Sequence, residues 1–152
     1  MRDGAATITF FDRTYDEAFT LLVEARNYLT EAQHRITEAL PPQDRLVASC
    51  ETMRLTSRLV QVMAWLLVQK AVHAGEIDDS EADDPRRRLG GHDVCAEPGP
   101  WDVSNLPKGL RGLLDRSLAL YNRVARLDEM VHIRASQERE RAAEEGPRQG
   151  VE

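Results

Sequence analysis

The chain has 152 residues, a formal net charge of -6 and a sequence pI near 5.3. That length suits one domain with a real hydrophobic core, and the acidic balance argues against a protein held on DNA or RNA by phosphate contacts. Cys50 and Cys95 lie far apart, and "MRDGAATITFFDRTY" offers no apolar h-region for a secretory signal. The expectation is a soluble cytoplasmic protein with free thiols.

The first helical segment, "TYDEAFTLLVEARNYLTEAQHRITEALPP", has a seven-residue pattern. Leu22, Leu29 and Ile36 repeat every seven, beside Ala18, Ala25, Ala32 and Ala39. Thr14 with Glu17 reads as a capping box, and Pro41-Pro42 ends the helix.

The second segment runs from about Gln43 to Ala74, with Gly75 as its C-terminal cap. One stripe is Leu46, Cys50, Met53, Ser57, Val60, Ala64, Leu67 and Ala71. A nearly opposite one is Leu55, Leu59, Val62 and Leu66, which reads as a core or dimer seam. Burial of those four is worth roughly 6–12 kcal/mol, comparable with a whole domain's stability. This helix is therefore expected to be covered on two sides. It is not a membrane span, because Leu59 to Gln69 between two cations rises only roughly 16 Å, half a bilayer's hydrocarbon thickness.

Its least apolar stripe is Glu51, Arg54, Arg58, Gln61, Trp65 and Gln69. Trp and Arg dominate binding hot spots, so Arg54, Arg58, Gln61 and Trp65 form a candidate partner surface. The structural alternative is that the long connection which follows folds over Trp65.

That connection, about Glu76 to Val103, holds six acids in "EIDDSEADD", then "RRR", then "LGGHDVCAEPGPWD". A loop this long is usually functional or disordered. The third helix opens at "SNLPKGL", where Ser104 or Asn105 can cap. Its stripe is Leu106, Leu110, Leu113, Ser117, Leu120, Val124, Leu127 and Val131, widened by Leu114, Leu118 and Tyr121. Beyond it "RASQERERAAEEGPRQGVE" has few apolar residues. The expected fold is all-α: an antiparallel three-helix bundle with a long loop between helices two and three. Residues 1–137 would form the domain and 138–152 a flexible tail.

Little catalytic chemistry is visible. His92 and Cys95 supply half a zinc site or a nucleophilic pair, but His34, Cys50, His73 and His132 show no complementary ligand spacing. "RRRLGG" lacks the ending of a phosphate loop and serves more simply to neutralise the preceding acids. No enzyme activity and no cofactor are expected.

The words "ETMRLTSRLVQVMAWLLVQKAVHAGEI" (51–77) and "LPKGLRGLLDRSLALYNRVARLD" (106–128) resemble an alphaproteobacterial family that includes the regulator of CtrA degradation, RcdA. The resemblance covers most of residues 15–131, the first helix matching only in pattern. It implies a dimeric helical adaptor for the ClpXP protease that tethers substrates such as cell-cycle regulators. It also implies a CpdR-like response regulator and a cyclic-di-GMP effector, PopA, as partners, with the tail used in delivery. The "EADDPRRRLGGHD" loop and a short tail depart from the pattern. The competing reading is a helical interaction or metal-binding protein built on the Cys95/His92 loop. Neither reading involves nucleic acid or a membrane, and the two-sided second helix independently favours a homodimer.

Overall fold

Residues 2–146 are described by the computed structural model, and their regular elements are all helices, with no strand. The elements are α1 (Arg2–Glu31), α2 (Gln33–Glu38), α3 (Pro42–His73), α4 (Asp79–Ala82), α5 (His92–Cys95) and α6 (Lys108–Glu144). The protein is all-α. Residues 147–152, the end of the expected tail, lie outside the described residues.

Helix α1 begins well before the expected cap. Thr14 is buried inside it, and its hydroxyl donates to the Phe10 carbonyl at 3.0 Å instead of capping. Glu17, freed from a capping role, accepts from Arg123 of α6. The extra N-terminal turns matter because Phe11 reaches the core and packs on Trp65, ring centroids 5.7 Å apart. Pro42 starts α3 at a position where a missing N–H costs nothing. Gly75, at φ +75°, follows the last turn of α3 as expected, in the left-handed region that favours glycine.

The long helices α1, α3 and α6 pack side by side. Helix α1 is antiparallel to α3, since Gln33 meets Thr52 and Phe11 meets Trp65. It is also antiparallel to α6, since Glu24 meets Arg116 and Glu17 meets Arg123. Helices α3 and α6, however, run parallel: Arg58 meets Ser117 and Trp65 meets Asp128. This differs from the up-down-up order expected from sequence. The connection between α3 and α6 is long enough to travel back along the whole bundle, so the chain starts α6 at the same end as α3.

The core is built as the third-helix stripe predicts. Leu106, Leu110, Leu113, Leu114, Leu120, Tyr121 and Val124 are buried, as is Ser117. Facing them are Leu55, Leu59, Val62 and Leu66 of α3, with Ala18, Leu21 and Ala25 of α1. The small alanines let α1 approach closely. The expected seam of α3 is therefore core.

The other apolar stripe of α3 is not covered within the chain. Leu46, Met53, Val60 and Leu67 are 66%, 71%, 56% and 52% exposed. Sequence reasoning expected this helix to be covered on two sides, and within the chain this side is left open. The structure buries the polar stripe instead, for reasons given below.

Helix α6 continues through the expected tail boundary at 138 as far as Glu144. Arg139 holds this stretch by donating to Asp83, at 2.7 Å.

Leu120→Ala should lower stability by about 2–5 kcal/mol in chemical denaturation, because it removes buried methyl groups and leaves a cavity. A loss below about 0.5 kcal/mol, the level of exposed substitutions, would remove Leu120 from the core.

Candidate functional site

The connection from α3 to α6 is a strap laid along the groove between those two helices. It follows the polar stripe of α3 from end to end. Near its start, Asp83 takes hydrogen bonds from His132 and Arg139 of α6. Arg88 then pairs with Asp128 at 3.0 Å and Glu129 at 3.3 Å, while the Leu89 N–H also points at Asp128. Gly90 donates its N–H to Gln61 and accepts the Tyr121 hydroxyl at 2.7 Å. From the end of α5 onward, the carbonyls of Val94, Cys95 and Glu97 face Arg54 and Arg58. Trp101 closes the run on Glu51 at 2.6 Å.

Arg58 is the centre of this arrangement. It is 2% exposed, and its guanidinium donates to Cys95 O (3.0 Å), Glu97 O (3.0 Å), Leu114 O (3.2 Å) and Ser117 Oγ (3.2 Å). One side chain thereby joins α3, the strap and α6. An irregular segment has no ladder of its own, so its carbonyls must find donors elsewhere. The ends of the short helix α5 are where such orphans gather. A planar five-donor fork meets several at once, which a lysine cannot do. Burial, with help from the neighbouring Arg54 charge, lowers the Arg58 pKa from its usual value.

Trp65 is buried at a second node. Its indole N–H donates to Asp128 Oδ1 at 2.9 Å, and Phe11 covers its ring. Trp101 does not reach it. It lies instead at Glu51, a buried carboxylate also 3.4 Å from the Arg54 Nε. Gly99 makes that contact possible, because a Cβ there would sit 2.1 Å from Glu51 Oε1.

Arg54, Arg58, Gln61 and Trp65 thus do share one face, and each is engaged within the chain: the crossover takes Arg54, Arg58 and Gln61, whereas Asp128 of α6 and Phe11 of α1 take Trp65. Arg58 and Trp65 are buried, Arg54 and Gln61 half-buried. Trp65 is thus covered by α1 and bonded to α6, where the structural alternative expected the long connection to fold over it. What sequence reasoning missed is Asp128, which ties Trp65, Arg88 and Leu89 together. A lone Asp at a register position between Val124 and Val131 was the available signal.

The "RRR" run divides its work. Arg86 and Arg87 pair with Asp84 and Glu81 within the connection, whereas Arg88 crosses to α6.

His92 Nε2 lies 3.1 Å from the Leu89 carbonyl, and its ring packs edge-on against Tyr121. Cys95 is fully buried, and that burial pushes its thiol up, opposite to the depression that makes a nucleophile. Burial also pushes the Tyr121 phenol up to about 12. Among the described residues no group of three or more His, Cys, Asp or Glu is arranged to hold a metal ion. None of the described helices is long and apolar enough to cross a membrane.

Comparison with known proteins gives the chain a family. Residues 3–149 match the model of a family described as a protein of unknown function (DUF1465). The chain belongs to that family. No curated protein matches it. Among solved structures it is similar to RcdA from Caulobacter crescentus CB15, with 38% identity, a TM-score of 0.66, and coverage of 81% of this chain and 91% of that one. The resemblance seen in the second and third helices is thus shared across most of both chains.

Two predictions test the strap. Arg58→Lys should cost at least about 2 kcal/mol in urea denaturation, since two or more buried carbonyls lose their donor at about 1–3 kcal/mol each. Parental stability in the lysine variant would show that the guanidinium fork is dispensable. The second concerns Asp83. Burial alone would raise its pKa, but the hydrogen bonds from His132 and Arg139 outweigh it and leave the carboxyl below its usual 3.8. A lowered folded pKa gives stability that is full above the ordinary value and lost as pH falls through the folded one. The melting temperature should therefore drop on acidification below about pH 4, and Asp83→Asn should flatten that drop. An identical acid profile in the variant would contradict this.

Proposed function

We propose that the protein is a non-enzymatic, cytoplasmic adaptor of the RcdA kind, which tethers substrates to a ClpXP-type protease. The observation that carries the reading is the relation to RcdA over most of both chains. The chemistry points the same way. Most of the polar stripe of α3, from Glu51 to Gln61, is engaged by the strap, and the Cys95 thiol is buried rather than activated. A protein whose buried polar groups are spent on its own architecture, while an apolar helix face stays open, is equipped to bind other proteins.

The partners in this reading are ClpX, a CpdR-like response regulator and protein substrates. In this reading residues 138–152 serve delivery, their first part still carried on α6 with Arg139 tied to Asp83. The protein acts as a homodimer. Four large side chains on one face of α3 are exposed at a spacing of seven, and Val60 also edges an apolar groove of about 290 Å³ with Leu22 and Leu29 of α1. Eight such side chains across a two-fold axis would bury enough apolar surface to offset the entropy of association. An isologous contact through one helix face is the simplest way to cover it.

Both parts can be tested with purified components. Full-length protein should bind ClpX or the response regulator in surface plasmon resonance and speed degradation of a substrate by ClpXP. Failure to bind either would contradict the adaptor reading. Light scattering should give a dimer at micromolar concentration. Met53→Asp with Val60→Asp should give a monomer with unchanged helical circular dichroism. A parent chain that is already monomeric would sink the dimer.

A further inference from the structure

One end of the molecule carries a two-part cavity that the Arg58 and Trp65 contacts and the exposed face of α3 leave unused. Its first part is an open apolar groove of about 710 Å³ between the N-terminal turns of α1 and the second half of α6. Phe10, Met130 and Ile133 line it and are exposed. Over the ridge of Phe11 and Val131, which line both parts, lies a smaller polar pocket of about 190 Å³.

Gln69 lines that pocket. It is only 5% exposed, yet its amide makes no hydrogen bond with any described residue. The amide is not sealed from solvent; it opens on the pocket, where a ligand group can reach it. It also stands out within its own stripe, because Glu51, Arg54, Arg58, Gln61 and Trp65 all have partners in the strap, α3 or α6. The charges around it are not balanced. Arg134 is compensated by Glu138, 3.9 Å away, whereas the Asp79 carboxylate has no ion-pair partner among the described residues. The pocket thus offers an amide oxygen, an unpaired carboxylate and an apolar floor, which suit the head and stem of a long cationic side chain.

We propose that this end of the protein is a peptide-binding site, taking a segment in which a large apolar side chain enters the Met130–Ile133 groove and a neighbouring lysine or arginine enters the Gln69–Asp79 pocket. Apolar anchoring with one charged specificity contact is how grooves between helices read amphipathic segments, and a flexible methionine lets the seat adapt to different side chains. The site goes beyond the adaptor reading and does not depend on which machinery the protein serves.

The test is selection from a random 12-residue peptide library on the full-length protein. Fluorescence anisotropy of the enriched peptides should then be measured on the parent, Asp79→Asn and Met130→Asp. Both variants change exposed positions, so each should keep the parent's circular dichroism and melting temperature. Enriched peptides should pair Leu, Ile, Phe or Met with a nearby Lys or Arg. Asp79→Asn should weaken them at least tenfold, as should the same peptide with its basic residue changed to norleucine. Met130→Asp should abolish binding. No enrichment, enrichment of acidic peptides, or equal binding to parent and Asp79→Asn would each overturn the proposal.

Discussion

The buried guanidinium of Arg58 is the interaction on which the rest of the molecule depends. Taking a charge out of water is expensive, and isolated burial would be prohibitive. It is tolerated here because the guanidinium meets three carbonyls and a hydroxyl, including the Cys95 and Glu97 carbonyls of the irregular crossover. Neither side could be inside without the other. The exchange fixes the path of the strap, and that path lets α6 start beside the beginning of α3. The parallel packing of α3 and α6 is thus a consequence of where the crossover is pinned.

This arrangement also explains why α3 looks inverted. A helix usually turns its apolar stripe inward and its charged stripe to water. In α3 the polar stripe is occupied by an irregular segment whose backbone must be satisfied, and Leu55, Leu59, Val62 and Leu66 fill the core beside it. The second apolar stripe, Leu46 to Leu67, is then left over on the outside. An exposed apolar face of that length is the kind of surface proteins use to contact one another. Internal architecture and external binding are therefore coupled: the polar face is spent on the fold, and the apolar face is available.

Much of this was legible in the sequence. The periodicity of α6 located its core residues from Leu106 to Val124, and Gly75 marked the end of α3. The four-residue set beginning at Leu55 was correctly given burial. Two things were not legible. Periodicity ranks faces by hydrophobicity, so it could not see that Arg58 and Gln69 would be buried while Met53 and Leu67 were exposed. That ordering is decided by backbone carbonyls of the strap, which leave no trace in side-chain pattern. Similarly, Thr14 with Glu17 satisfied the pattern of a helix start. The chain's earlier turns extend α1 because Phe11 gains a seat on Trp65, a tertiary contact that overrides a local cap. The candidate surface of Arg54, Arg58, Gln61 and Trp65 was found as a set, and its residues turn out to be engaged within the chain, since unusual residues on one face announce a contact without naming it.

Hydrogen–deuterium exchange along residues 76–107 tests the central claim most directly. If the crossover is a strap pinned by Arg58, the Gly90 and Cys95 amides, which are bonded to Gln61 and Gly91, should exchange with protection approaching that of the α3 core. Arg58→Lys should release that protection locally while the α1–α3 contact keeps its own. Exchange of these amides at the rate of an unstructured peptide in the parent protein would contradict the account.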